Sequence, residues 1–394
     1  MRRTSPPVDT SLLRVLPLLP LLALPFAGCD CSDDAPPAGD SGTTTDSAAP
    51  SDTGTTTDSG TTTDSSTPTD SGTPADAGDT GTASTAVRFV VMGDVGEGNT
   101  AQREVGIVIR DLCAAEGCDF AVLLGDNIYD SGVTSIDDPQ WNMKFEDPYR
   151  DIPDMPFYAV LGNHDYGGEL SVGGISLGDY GGLGNEFDRG PIEVAYTAVS
   201  SKWEMPETFY TFQHGNVGFI ALDTNSILWD DTTNGDQLAW WPTAMAEVAG
   251  ADWVITLGHH PYLSNGAHGD AGDYEAIEVG GTDIPIPVPI MDGENVRDFF
   301  NGYICGYADV SFSGHDHNRQ WINEPGACGG TELIISGAGA KVKDFDRTDR
   351  NATHWQDATT PGLMYVVIDG DNFYGRWMNQ RGETEYERMF TRTP

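Results

Sequence analysis

The chain has 394 residues, 38% of them hydrophobic, enough for one large domain with a substantial core. It carries 61 acidic against 20 basic side chains, for a formal net charge of -41. Without a basic stripe to displace counterions from a phosphate backbone, nucleic acid is excluded as a partner.

At the start of the chain, Arg2, Arg3 and Arg14 precede the apolar run VLPLLPLLALPF, which closes on Ala27, Gly28 and Cys29. A run this short does not span a bilayer, and its flanks read as an export signal over 1–29. With cysteine at the cleavage point it resembles a bacterial lipoprotein signal. That resemblance implies lipidation of Cys29 and an anchor in the cell envelope, facing periplasm or cell surface. Ordinary secretion with a free Cys29 is the alternative.

Residues 30–86 hold no Lys, Arg, Trp, Phe, Tyr, Leu or Ile, and aspartate recurs every six residues from Asp40 to Asp76. This composition buries too little apolar surface to offset the entropy of ordering, so a disordered Asp/Ser/Thr/Gly/Pro tether is expected. As a flexible coil it reaches roughly 40 Å, standing the following domain off a membrane.

The remaining 87–394 form the expected folded domain, with 49 acidic against 17 basic side chains. Its cysteines are Cys113, Cys118, Cys305 and Cys328. In an exported chain without a C-x-x-C pair they read as two structural disulfides, and proximity favours Cys113 with Cys118 and Cys305 with Cys328. Spacing alone does not fix that pairing.

Five short apolar runs end at residues able to bind metal. RFVVMGD ends at Asp94, FAVLLGD at Asp126, PFYAVLGNH at Asn163 and His164, DWVITLGH at His259, and DVSFSGH at His315. Runs this short, rich in β-formers and bounded by glycine, predict buried strands. NTAQREVGIVIRDLCAAE and DQLAWWPTAMAEV have apolar residues at helical spacing. Alternating strands and helices predict an α/β layered domain, with ligands gathered at the carboxyl ends of its strands.

Turns use glycine, asparagine and aspartate, but they have no use for histidine. Aspartate, asparagine and histidine together are metal ligands, and the set is too large for one ion, so two are expected. In His315-Asp316-His317, alternation along an extended segment would turn both histidines the same way, each toward a different ion.

GDVG at 93–96, GDNIY at 125–129, GNHD at 162–165, GHHP at 258–261 and GHDHN at 314–318 resemble the motif blocks of calcineurin-like metallophosphoesterases. Tyr129 and SKWEMPETFY at 201–210 narrow the resemblance to the small, tartrate-resistant type of purple acid phosphatase. The resemblance implies a four-layer α/β/β/α sandwich with two mixed β-sheets flanked by helices. It implies Asp94, Asp126, Tyr129 and His317 on one metal, with Asp126 bridging to a second held by Asn163, His259 and His315. Two carboxylates and a phenolate suit iron(III), and an amide with two imidazoles suits divalent iron, zinc or manganese.

The activity implied is hydrolysis of small phosphate monoesters by in-line attack of a metal-bound hydroxide. His164, oriented by Asp165, is the preferred proton donor to the leaving group, and His268 is a second candidate lining the pocket. A phosphodiesterase on the same metals and a non-catalytic, cation-binding surface lipoprotein are the alternatives. The expected partners are a small ester and, through Cys29, a membrane, with the chain acting as a monomer.

Departures from the family pattern carry expectations too. His260 replaces an aromatic residue and is expected beside the metals, not on them. Tyr166 replaces a histidine of mammalian members, which would alter the leaving-group side of the pocket. The segment between ALDTN and QLAWW is shorter than the family's repressive loop, so no proteolytic activation is expected. Residues 167–189 and 265–295 are expected to form a substrate-selecting rim.

Overall fold

The structure is a computed structural model and describes residues 86–392 apart from 153, 173–174, 180, 275–276, 280–281 and 285–291. The expected signal over 1–29 and all of the expected tether except Ala86 lie outside the described residues. So does part of the 265–295 rim.

The short apolar runs become the centres of two mixed sheets, each seven-stranded among the described residues. In the first, Val87–Met92, Phe120–Leu124, Phe157–Val160 and Trp203–Glu204 run parallel. Gly362–Asp369, Asn372–Asn379 and Thr384–Thr391 extend it antiparallel from the other side of Val87–Met92. In the second, Val217–Ala221, Trp253–Leu257, Val310–Ser313 and Glu332–Ser336 run parallel. Tyr210–His214 flanks one end, and Arg319–Ile322 followed by Thr353–Asp357 the other, all antiparallel.

Central strands covered on both faces need no polar alternation, which is why Phe89, Val90 and Val91 are all fully buried. Rings from both sheets meet between the layers: Phe89 stacks on Phe120 at 4.9 Å and meets Phe219 edge-on at 5.5 Å. Offset and edge-to-face pairs of this kind add about 0.5–1.5 kcal/mol each beyond area burial.

Helices close the outer faces. Thr100–Glu116 starts where the Asn99 side chain accepts the Gln102 backbone N–H, and it contributes Val105, Val108, Ile109 and Leu112 to the core shared with the first sheet. Beyond the second sheet, Trp241 and Phe299, from helices Thr232–Glu247 and Glu294–Phe299, pack with Ile220 and Ile335. The architecture is the expected sandwich of two mixed sheets between helices.

The helix expected over DQLAWWPTAMAEV begins earlier, at Thr232, because Asp231 caps it by accepting the Asn234 backbone N–H at 3.0 Å. A further short helix, Thr224–Trp229, capped by Asp223, was not expected: six residues are too few to show a helical period. The two helices and the left-handed residue Asp230 between them take up most of the short segment after ALDTN. Both disulfides form as expected, Cys113 with Cys118 and Cys305 with Cys328.

Candidate metal centre

Three of the proposed ligands sit one residue past a glycine in a conformation L side chains rarely adopt. Asp94, Asp126 and His315 have φ of 57°, 52° and 69°. Such residues cost on the order of 1 kcal/mol or more each, and they cluster where a surrounding structure holds them for function. The preceding glycines allow the backbones to close in. A Cβ on Gly125 would lie 2.6 Å from His259 Nδ1, and one on Gly314 2.7 Å from Asp94 Oδ2.

The side chains converge in two groups. In the first, Tyr129 Oη lies 3.0 Å from Asp94 Oδ1, 2.8 Å from Asp126 Oδ2 and 3.1 Å from His317 Nε2. In the second, Asn163 Oδ1 lies 3.0 Å from His259 Nε2 and 3.1 Å from His315 Nδ1. Asp126 belongs to both, because its other oxygen, Oδ1, is 3.4 Å from His259 Nε2. All seven proposed ligands are thus brought together.

The two histidines of the GHDHN block reach different groups, but not by strand alternation. Residues 315–318 form a bend, and the left-handed turn at His315 is what separates their directions. Asp316 points elsewhere: its Oδ2 accepts from the Ser264 hydroxyl and its Oδ1 from the His268 backbone N–H.

The hydrogen bonds around the second group set where a cation would fit. His259 Nδ1 lies 2.8 Å from the Leu124 carbonyl, an acceptor, so Nδ1 carries the proton and neutral His259 presents a lone pair at Nε2. Asn163 Nδ2 donates to the Gly182 carbonyl at 2.7 Å, which turns Oδ1, another acceptor, toward that lone pair. Two lone pairs 3.0 Å apart repel unless a positive charge, a metal ion or a proton carried on Nε2, lies between them. The donor set fits a metal.

Titration points the same way. Burial first, and Asp126 beside it, push the Asp94 carboxyl up to about 8. Burial also opposes ionisation of Asp126, but the His259 and His164 charges hold it well below the usual range. Burial and the two carboxylates drive the Tyr129 phenol well above its ordinary value, and burial keeps His315 and His317 neutral. Protons on Asp94, Tyr129 and His259 offset the charge of the cluster where a cation would otherwise do so.

His164 lies beside the first group, its ring 4.4 Å from that of Tyr129. Its Nδ1 meets the Asp130 carbonyl at 2.7 Å, so Asp130, and not Asp165, sets its orientation. The Asp165 carboxylate turns away to accept the backbone N–H groups of Gly162, Asn127 and Ile128 at 2.7–2.9 Å. A carboxylate at the third residue of a helix satisfies open backbone donors, and here it clamps the Asp126 loop to the Asn163 loop. His268 packs against His315, with ring centroids 4.1 Å apart and the ring planes tilted by 35°.

His260 lies beside the ligand cluster, its ring 4.6 Å from that of His315, with Nδ1 engaged by Thr224. The threonine Oγ1 accepts the His259 and His260 backbone N–H groups at 3.1 and 3.0 Å, so its own proton goes to His260 Nδ1 at 2.9 Å. Tyr166 is buried in the core, with its hydroxyl on Asp223. Of the rim, Gly182 is seated on the site: a Cβ there would lie 2.6 Å from His164 Nε2.

Sequence reasoning did not single out Lys341 or Glu97. Lys341 Nζ lies 3.3 Å from the centre of the Tyr129 ring and pairs with Glu97 Oε1 at 2.6 Å. A lone lysine after GAGA carries no signal that it will sit over a tyrosine more than 200 residues earlier.

Residues 87–319 match the model of the calcineurin-like phosphoesterase family. Tartrate-resistant acid phosphatase type 5 of Oryctolagus cuniculus is 27% identical over 351 residues, covering 79% of this chain and 92% of its own. Purple acid phosphatase 4 of Arabidopsis thaliana is 26% identical over 307 residues, covering 73% and 76%. The purple acid phosphatase PPD1 of yellow lupin (Lupinus luteus) shares the fold, with a TM-score of 0.55 at 17% identity over 78% of this chain and 54% of its own. Such relatives imply a dinuclear metal centre, and Asp94, Asp126 and His259 form a candidate group for it. With the family model matched over more than half its length and ligand-type side chains converging at its strand ends, the chain belongs to the calcineurin-like phosphoesterases.

Proposed function

We propose that this phosphoesterase hydrolyses phosphate monoesters at a pair of metal ions. The observation that carries the reading is the division of Asp126, with one carboxylate oxygen on the Tyr129 group and the other on the His259 group. Asp94, Asp126, Tyr129 and His317 would hold iron(III). Asp126, Asn163, His259 and His315 would hold divalent iron, zinc or manganese. Bound there, the ions supply neutralising charge for a phosphoryl group and an acidified water.

The chain's own residues do the rest. His164 is anchored through Nδ1 on the Asp130 carbonyl, which leaves Nε2 to pass a proton to the departing oxygen. Gly182, having no side chain, leaves that nitrogen unobstructed. Burial lowers the His164 pKa, so its acid form is populated below the ordinary imidazole range, in keeping with work at acid pH. His268, its ring 4.1 Å from that of His315, stands beside the same cluster.

Metal analysis beside turnover of p-nitrophenyl phosphate and bis(p-nitrophenyl) phosphate tests the reading. Two ions per chain and a faster monoester reaction are expected. Preference for the diester would favour a phosphodiesterase, and a chain with metal but no turnover a cation-binding role. We further propose export of a monomer anchored through a lipid on Cys29, supported by the signal-like run before it. Cys29→Ala should move the chain from membranes to the soluble fraction.

A further inference from the structure

Lys341 sits over the face of Tyr129, its ammonium 3.3 Å from the ring centre. Both partners are fixed from several sides. The turn carrying Lys341 is pinned by Gly339 N–H on the Gly93 carbonyl at 2.9 Å, by Asn99 Nδ2 on the Ala340 carbonyl at 2.9 Å, and by Lys343 N–H on the His317 carbonyl at 2.8 Å. Glu97, in the loop that follows Asp94, holds the ammonium itself at 2.6 Å. On the other side, the Tyr129 backbone N–H donates to the Gly96 carbonyl at 3.0 Å, so one loop positions both the phenol and the counter-ion of the cation above it.

A cation over an aromatic face lowers the energy of the ring's electrons, and more so when the ring bears a phenolate. Lys341 therefore opposes electron donation from Tyr129, and Glu97 partly cancels that opposition. We propose that Lys341 and Glu97 are a tuning pair, setting how strongly Tyr129 donates to the iron(III) of the first group and how tightly that iron is held. The proposal rests on the reading of Tyr129 as an iron ligand.

The two residues carry opposite charge, so their removal must act in opposite directions. In the full, iron-loaded chain, Lys341→Met should raise the phenolate's donor level more than that of the more distant iron. The visible charge-transfer band should move to longer wavelength, and a chelator should withdraw iron more slowly. Glu97→Gln leaves the ammonium uncompensated, so the band should move to shorter wavelength and iron should leave faster. Lys341→Arg, which keeps the charge, should stay close to the unsubstituted chain.

A merely structural ion pair gives another pattern, since breaking it from either side loosens the same loop and both variants lose iron faster. That result, or a band that stays in place in variants still holding iron, overturns the proposal. If Lys341→Met does not accumulate as folded protein, the sign of the Glu97→Gln shift decides alone. An unsubstituted chain that holds iron(III) but shows no such band would instead refute Tyr129 as a ligand. In that way the two failures are told apart.

Discussion

Asp316 Oδ1 accepts the backbone N–H of His268 at 3.1 Å, and the ring of that histidine lies 4.1 Å from the ring of His315. The aspartate between the two proposed ligand histidines thus seats the loop that brings a third histidine beside them. Gly266 makes the approach feasible, since a Cβ there would fall 2.1 Å from Asp316 Cγ. Partners that orient metal ligands are worth about 10–100-fold in affinity or activity, and a similar scale is expected for a group that seats His268 beside a proposed ligand. Asp316→Asn should therefore lower kcat/KM by about that factor with both ions retained. Metal analysis beside steady-state kinetics checks it, and loss of metal in step with activity would show that Asp316 supports the ligands instead.

Asp126→Asn removes the one carboxylate shared by both groups. Metal content should fall for both ions, whereas Asn163→Ala should deplete mainly the second. Because ions that bind only the folded chain stabilise it, the melting temperature should drop with metal content. Elemental analysis with calorimetry reads both effects.

Proton donation by His164 has a leaving-group signature. His164→Ala should reduce kcat on an alkyl phosphate by about 100- to 10,000-fold and on p-nitrophenyl phosphate by much less, because nitrophenolate departs without a proton. His268→Ala should weaken both substrates alike. The reverse pattern would move the acid role to His268.

The hydrogen bonds of Thr224 support the proposal that His259, and not His260, is the ligand. His259→Ala should empty the second metal position, while His260→Ala leaves it occupied. Metal analysis of the two variants side by side is decisive, and the opposite result exchanges the assignments.

Stability of the metal-free chain should fall as pH rises. Asp94 is raised to about 8 by burial and by Asp126, and Asp165 to about 7 by the same two causes. His259 is raised to about 9: burial lowers it, but the charge and hydrogen bond of Asp126, the Asp94 charge and the Leu124 carbonyl together outweigh that burial. Groups raised on folding add stability that is complete below their unfolded pKa and is lost as pH climbs through the folded value. His164, His260, His315 and His317 are lowered by burial and work the other way, but only up to the unfolded imidazole value of about 6.5. Between roughly pH 6.5 and 8 the raised groups act alone, each removing about 1.4 kcal/mol per pH unit while it titrates. Denaturant melts across that window, with and without metal, should show a steep decline that loading flattens.

Much of this protein can be read along the chain because its chemistry lies at strand ends. The buried strands that lead to the site are mostly apolar, so the first metal-binding residue after the glycine stands out, as Asp94, Asp126 and His259 do. Their types alone indicate metal, since lone pairs and negative charge do not depend on where a chain turns.

What tertiary structure decided are the relations between groups far apart in sequence or hidden in backbone geometry. Asp165 looked like a partner for its neighbour His164, yet it bonds the loop at 126–128, because a carboxylate takes the open backbone donors nearest in space. The left-handed turn at His315 replaced the expected alternation, and only the approach of the 93–97 and 337–343 segments put a lysine over Tyr129. Residue type is local, so it can be read from one position. Direction and distance depend on every residue packed between.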